Sequence, residues 1–160
     1  MSIYLSGHQY DKARMVLDYL NQSPPSTYPD NYYMCKAAMH YYYAKRDEAK
    51  YEEWYARGRK VARNDAERLV LLGMRAGYYL RGKEDREQDI ALGAYQEITR
   101  IDPKDAWAWH NMSIIHYKKK QYRQAHDCNQ RALKIMDFEA ARFVERKINE
   151  EWKGRKGLFG

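Results

Sequence analysis

From Asp105 to Met136 the chain reads DAWAWHNMSIIHYKKKQYRQAHDCNQRALKIM, with apolar residues recurring every three or four positions rather than alternating. That is the spacing of one face of an α-helix. The same rhythm runs along nearly the whole chain, and no stretch alternates as a half-buried strand would. It predicts a helix from His8 to Gln22, stopped by SPPSTYP, whose three prolines cannot continue it. Asp30 is placed to cap a helix of about Asn31 to Ala44, and after the polar turn KRDE another runs to about Ala62. Asn64 and Glu67 have capping-box spacing and open a helix to about Arg81. RGKED is a turn. The next helix ends at IDPKD, where Pro103 blocks continuation and Asp105 can cap the following one, to about Lys119. Its successor spans Tyr122 to Met136. Asp137 then caps a last helix, Phe138 to about Lys153, ahead of a flexible tail, 154–160. Eight helices joined by short turns must lie antiparallel to their neighbours.

The helices repeat. Ala13, Ala49, Ala91 and Ala125 fall at similar places in alternate helices, separated by 36, 42 and 34 residues. A small residue at a helix crossing lets two backbones approach, so each alanine is expected to mark where a hairpin pinches. Around Ala125 the supporting residues are Tyr122, Ala132, Met112 and Trp109; around Ala13 they are Tyr4, Tyr10, Leu17 and Leu20; around Ala91 they are Tyr95, Ile98 and Pro103. Ala49, followed by Glu53 and Ala56, is the weakest match. The pattern Trp109-x2-Met112-Ser113-x2-His116, then Ala125-x3-Asn129 and Ala132, resembles the tetratricopeptide repeat, a helical hairpin of about 34 residues. It departs from that family at Ser113 for Gly, His116 for Tyr, Asn129 for Phe and Asp137 for the closing Pro.

The resemblance covers most of residues 3–136 and implies an all-α fold. The expected architecture is an α-solenoid of antiparallel helix hairpins in a right-handed superhelix, with units of about 3–29, 30–63, 64–104 and 105–137. The final helix, 138–153, places Phe138, Ala141, Val144, Ile148 and Trp152 on one stripe and Arg142, Glu145, Arg146, Lys147 and Glu150 elsewhere. That is the amphipathic cap an open solenoid needs. At the other end only SIYL remains of a first helix. The exposed face of His8–Gln22 is therefore expected to be covered by a second copy of the chain or by a partner.

Composition narrows the function. Of 160 residues, 44% are hydrophobic and 32% charged, the balance of a folded soluble chain; sixteen tyrosines suit half-buried packing and binding surfaces. Cys35 and Cys128 lie far apart inside predicted helices and read as reduced structural thiols. With no apolar run long enough to span a bilayer and no signal-peptide pattern, a cytoplasmic location is expected. The net charge of +7 is uneven: residues 101–160 carry 13 basic and 8 acidic side chains. HYKKKQYR, His116 to Arg123, interleaves cations with tyrosines that could stack on bases, so RNA is an alternative partner.

Candidate chemistry is sparse. GYYLRGKE fits a phosphate-loop spacing but has Glu84 where Ser or Thr is needed, and no strand precedes it. His126-x-Cys128 and the pair His110 and His116 lack a zinc spacing, and no Ser or Cys has a nucleophile's setting. Neither a catalytic centre, a cofactor nor a metal is expected. The remaining reading is a protein-binding module, an adaptor, assembly scaffold or chaperone-like protein. The resemblance implies that the first helix of each hairpin lines a groove for a partner's peptide or helix. That groove would be built from Met34, Ala38, Tyr41 and Tyr42 in one unit and Trp107, His110, Ile114, Tyr117 and Lys118 in the last. The family's carboxylate-binding Lys/Asn arrangement is not reproduced.

Overall fold

The computed structural model describes residues 31–156 continuously, with side chains through 152, and before them Asp11, Arg14, Met15 and Asp18. Those four are helical and fall inside the expected helix His8–Gln22. The rest of that helix, the SIYL half-unit with the self-association assigned to it, and the tail from 157 lie outside the described residues.

Seven helices are fully described, with no strand among the described residues. They are α1 (Tyr32–Lys45), α2 (Glu48–Val61), α3 (Asp65–Leu80), α4 (Asp85–Ile101), α5 (Ala106–Lys118), α6 (Tyr122–Ile135) and α7 (Glu139–Lys156). None is long and apolar enough to cross a membrane. The chain forms two compact units, Met1–Leu71 and Leu72–Gly160, with the boundary inside α3. In the first, α1 packs on α2; in the second, α4 packs on α5, α5 on α6, and α7 on both α6 and α5.

Local chemistry sets the ends. Asn31 itself, rather than Asp30, caps α1, its side chain accepting from Met34 N–H at 2.9 Å. Asp105 does the same for α5 through Ala108 N–H at 2.9 Å. At α3, Asn64 accepts from Glu67 N–H at 2.9 Å, while Glu67 reaches one residue further back than a standard box, to Arg63 N–H at 2.7 Å. The last helix begins one residue later than expected. Phe138 O receives its first backbone bond, from Arg142, and the Asp137 carboxylate meets the Arg142 guanidinium at 3.3 Å.

Two hairpins end their first helix in the same way. Arg46 after α1 and Lys120 after α5 both have positive φ, 55° and 59°. In each, the following N–H reaches back five residues: Asp47 to Tyr42 O at 3.1 Å, and Gln121 to His116 O at 2.9 Å. This is the Schellman closure, here built on a cation rather than the usual glycine. The two hairpins thus share one closure.

The first unit's core joins Cys35, Ala38 and Met39 of α1 to Tyr51, Trp54 and Tyr55 of α2, with Leu71 of α3. Here one expectation fails. Ala49 and Ala56 are exposed, and α2 turns Tyr51, Trp54, Tyr55 and Gly58 inward instead. The close approach falls at Gly58, where an added side-chain carbon would sit 3.2 Å from Cys35 Cβ and 3.2 Å from a Leu71 methyl. Large rings on α2 have displaced the alanine register by two residues. In the second unit the alanines do lie at the crossings: Ala91, Ala125 and Ala132 are fully buried, joined by Ala106 and Ala108.

The two kinds of helical glycine should therefore respond oppositely to substitution. Gly58→Val overpacks the α1–α2 crossing and should cost about 1–3 kcal/mol. Gly73 of α3 has open space around it, so Gly73→Ala should add about 0.5–1 kcal/mol through helix propensity alone. Urea titrations of the two variants measure both effects.

Candidate functional site

The nine candidate residues fall in two groups, one in each unit. On α1, Ala38 is fully buried, while Met34, Tyr41 and Tyr42 are half-buried on its flank. Tyr41 and Tyr42 meet edge to face at 5.1 Å, and Lys45 Nζ lies 5.7 Å from the Tyr41 ring. Burial raises the Tyr42 hydroxyl pKa, and the nearby Lys50 ammonium opposes that.

On α5 the spacing 107, 110, 114, 117 forms one stripe. Trp107 stays 51% exposed, with its ring 4.5 Å from that of Phe138 at the start of α7. His110 is buried, edge-on to Trp107 at 5.9 Å and to Phe138 at 5.1 Å. Ile114 is half-buried. Tyr117 lies edge-on to Tyr122 at 5.9 Å, against the cluster of Tyr122, Ala125 and Ile148 that also packs Val144 and Trp152. Lys118 is exposed, its Nζ 3.4 Å from the Leu80 carbonyl. The structure thus brings Trp107, His110 and Tyr117 against α7. What faces outward is one side of Trp107, part of Ile114, and Lys118.

Beneath this stripe lies a polar network that the sequence reading does not contain. Asn129 of α6 is fully buried, at the place where the repeat pattern has Phe. Its amide nitrogen donates to Ala141 O at 2.9 Å and to Glu145 Oε2 at 2.8 Å, both on α7. Its oxygen faces His110 Nδ1 at 3.5 Å and the Ser113 hydroxyl at 3.4 Å. With both amide hydrogens committed, Asn129 Oδ1 must accept, so His110 carries its proton on Nδ1. Ser113 gives its shorter hydrogen bond, 2.7 Å, to His110 O. Glu145 continues the network: its other oxygen accepts from Asn149 at 3.2 Å and lies 2.6 Å from His126 Nδ1, out of line for a hydrogen bond. The expectation that Glu145 belongs to the solvated face of α7 is corrected: its side chain is 14% exposed because Asn129, Asn149 and His126 surround it.

Two departures from the repeat pattern now explain each other. Ser113 replaces Gly and Asn129 replaces Phe, and the two side chains meet. Exchanging a ring for a smaller amide leaves room that the serine side chain and its hydroxyl occupy. The paired departures were the one sequence signal of this network. Of the other two departures, His116 bonds Gln121 across the turn at 2.7 Å, and Asp137 pairs with Arg142.

The tyrosines of HYKKKQYR are turned inward. Tyr122 is 9% exposed within the core, and Tyr117 lies on it. Cys35 and Cys128 are both buried and are not joined in a disulfide; burial pushes the Cys128 thiol up to about 11. No group of three or more metal-ligating side chains gathers among the described residues.

Residues 94–127 match the family model of the tetratricopeptide repeat. The match covers the second half of α4, all of α5 and the start of α6. No curated protein matches the chain in sequence.

Two outcomes follow from the network. Asn129→Phe alone should destabilise the chain, because Ser113 stays in the ring's way and Ala141 O and Glu145 lose a donor. Adding Ser113→Gly should recover part of that loss, with a favourable coupling of about 0.5–3 kcal/mol in a double-mutant cycle. The second outcome concerns acid. Burial lowers the His110 pKa, only partly offset by Asn129, and His40 is lowered by burial and by Lys36. Both groups bind protons more weakly folded than unfolded. Stability should therefore be full above the ordinary imidazole value of about 6.5 and decline as pH falls below it. The unfolding free-energy difference between about pH 7.5 and pH 5 should shrink in His110→Gln, measured by denaturant titration at each pH.

Proposed function

We propose that the chain is a non-catalytic adaptor, assembly scaffold or chaperone-like module of the cytoplasm that holds a peptide segment or helix of a partner protein. Tetratricopeptide repeats in general mediate protein–protein interaction, and residues 94–127 match that family's model. The observation that carries the reading is Trp107. A large indole is held by Phe138 on one side and left 51% exposed on the first helix of the repeat. An anchored, half-wet aromatic ring offers much contact area for little lost side-chain freedom. Ile114 and Lys118 continue the stripe, and Met34, Tyr41 and Tyr42 form the corresponding proposed surface of the first unit. Ala38 and His110, being buried, shape their helices from behind rather than offering contact area.

The alternative is a basic RNA-associated repeat, which would need aromatic faces free to stack on bases. The burial of Tyr122 and the packing of Tyr117 favour the protein partner.

The test is capture of a partner from nuclease-treated extract of the native cell. Trp107→Ala and Ile114→Ser, each checked to remain folded, should reduce capture of the same protein by about tenfold, the scale of one interface anchor. Capture undiminished by either substitution refutes the α5 stripe as the binding surface.

A further inference from the structure

Two turns of the second unit meet at one end of its helices. The α3–α4 turn carries Arg81 and Lys83; the α5–α6 turn carries Lys119 and Lys120, and Arg123 follows in the first turn of α6. Two lysines pin these turns together. Lys118 Nζ donates to Leu80 O, and Lys119 Nζ pairs with the Asp89 carboxylate of α4. Lys119 is 16% exposed and acts as a strut.

The strut neutralises one of the four carboxylates at this end: Asp89 pairs with Lys119, while Glu87, folded back on Glu84 N–H at 3.1 Å, keeps its charge with Glu84 and Asp85. Arg81, Lys83, Lys120 and Arg123 are all exposed, and none is ion-paired among the described residues. By contrast, Arg142 and Lys147 of the same unit have carboxylate partners, and Arg131 and Arg146 lie over rings. The fold therefore holds four uncommitted cations on adjoining turns.

Such an edge attracts an anionic partner, and its surroundings select the kind. A nucleic acid would be expected to use stacking rings beside the cations, yet Tyr79 and Tyr122 are buried, Tyr117 is packed on Tyr122, and Tyr78 is half-buried edge-on to Tyr79. Among the described residues no fully exposed ring stands beside the cations, which suits carboxylates. The edge also adjoins the stripe: Lys118 ends the helix face that begins at Trp107. Eleven positions along α5 span about 16 Å, the reach of about five extended residues.

We propose that this edge docks an acidic segment, a run of Asp and Glu residues, of the same partner protein whose apolar residue rests on Trp107. The proposal rests on reading the chain as a protein-binding module and gives the partner's chemistry: an apolar anchor separated by about five residues from an acidic run. Salt weakens the edge and leaves the stripe largely unaffected, because exposed charges are screened over about 8 Å at physiological ionic strength.

The experiment uses the full chain with a fluorescent peptide of Asp and Glu, and an oligouridylate of equal charge, read by anisotropy between about 50 and 300 mM salt. The test variant is Lys83→Glu/Arg123→Glu; Arg123 lies at a helix N-terminus, where an acid is favourable. The control, Lys104→Glu/Lys134→Glu, makes the same change in net charge at the opposite end of the helices. The acidic peptide should bind the native chain and lose affinity by about tenfold or more in the test variant, while the control stays within about twofold. Equal loss in both variants, absence of peptide binding, or tighter binding of oligouridylate with the same dependence on Lys83 and Arg123 each overturns the proposal. Partner capture abolished by Trp107→Ala but untouched by Lys83→Glu/Arg123→Glu also overturns it, and leaves the module reading intact.

Discussion

The C-terminal half of this molecule depends on one buried amide. The apolar faces of α6 and α7 meet through Ala125, Ala141 and Ile148, surfaces smooth enough to slide or rotate past one another. Apolar contact is favourable at many such offsets. The Asn129 hydrogen bonds are directional, and they are satisfied only where Ala141 O, Glu145 and the α5 pair of His110 and Ser113 converge on one point. Moving α7 by a turn would leave a buried amide and a largely buried carboxylate unpaired, at a cost of about 1–3 kcal/mol for each neutral group and more for the charge. The network thus selects one docking of α7 more than it adds stability to it.

That docking decides what the α5 stripe can present. With α7 in this register, Phe138 lies against Trp107 and His110, and Val144 and Trp152 join the cluster around Tyr117. Had α7 been longer at its start or shifted along α5, Trp107 would be a core residue like Met112. Its half-exposure follows from a helix that begins at Glu139 and covers one side of the indole. The outer face of α7 carries Arg142, Arg146, Lys147 and Glu150, with Phe143 half-screened by Arg146, so this face is mostly polar.

Helices and their ends were legible in the sequence because the signals that set them are local. Pro103, Asn64 and Asp105 act within four residues, and the observed ends lie within about three residues of the expected ones. The docking of α7 by Ala141, Val144, Ile148 and Trp152 was legible for the same reason: periodicity alone identifies the stripe. What could not be read depends on partners distant in sequence. Ala49 had the right spacing but the wrong face, because Tyr51 and Trp54 claim the interior of α2 and rotate it. Glu145 looked like a surface acid, and only the positions of Asn129 and His126 bury it. His110 sits on the expected stripe, yet whether its ring faces water is settled by Phe138, twenty-eight residues on. Asn129 was visible as a departure from the repeat, but a lone polar residue at a core position does not announce what it bonds.

The two surfaces proposed for binding differ in physics, and the difference assigns them different roles. The cations of the turns are exposed, so their attraction is felt at a distance and is screened by salt. Such charges speed encounter and orient the incoming segment. The stripe acts only at contact. Trp107 already spends one face on Phe138, so a partner gains only the other face, and the apolar area available is less than a free indole would give. A module of this kind would rely on the length of the bound segment to raise affinity beyond what one half-covered ring supplies. Weak anchoring with charge-assisted capture suits a partner that must be released as readily as it is held, because dissociation rather than association sets the lifetime of such a complex.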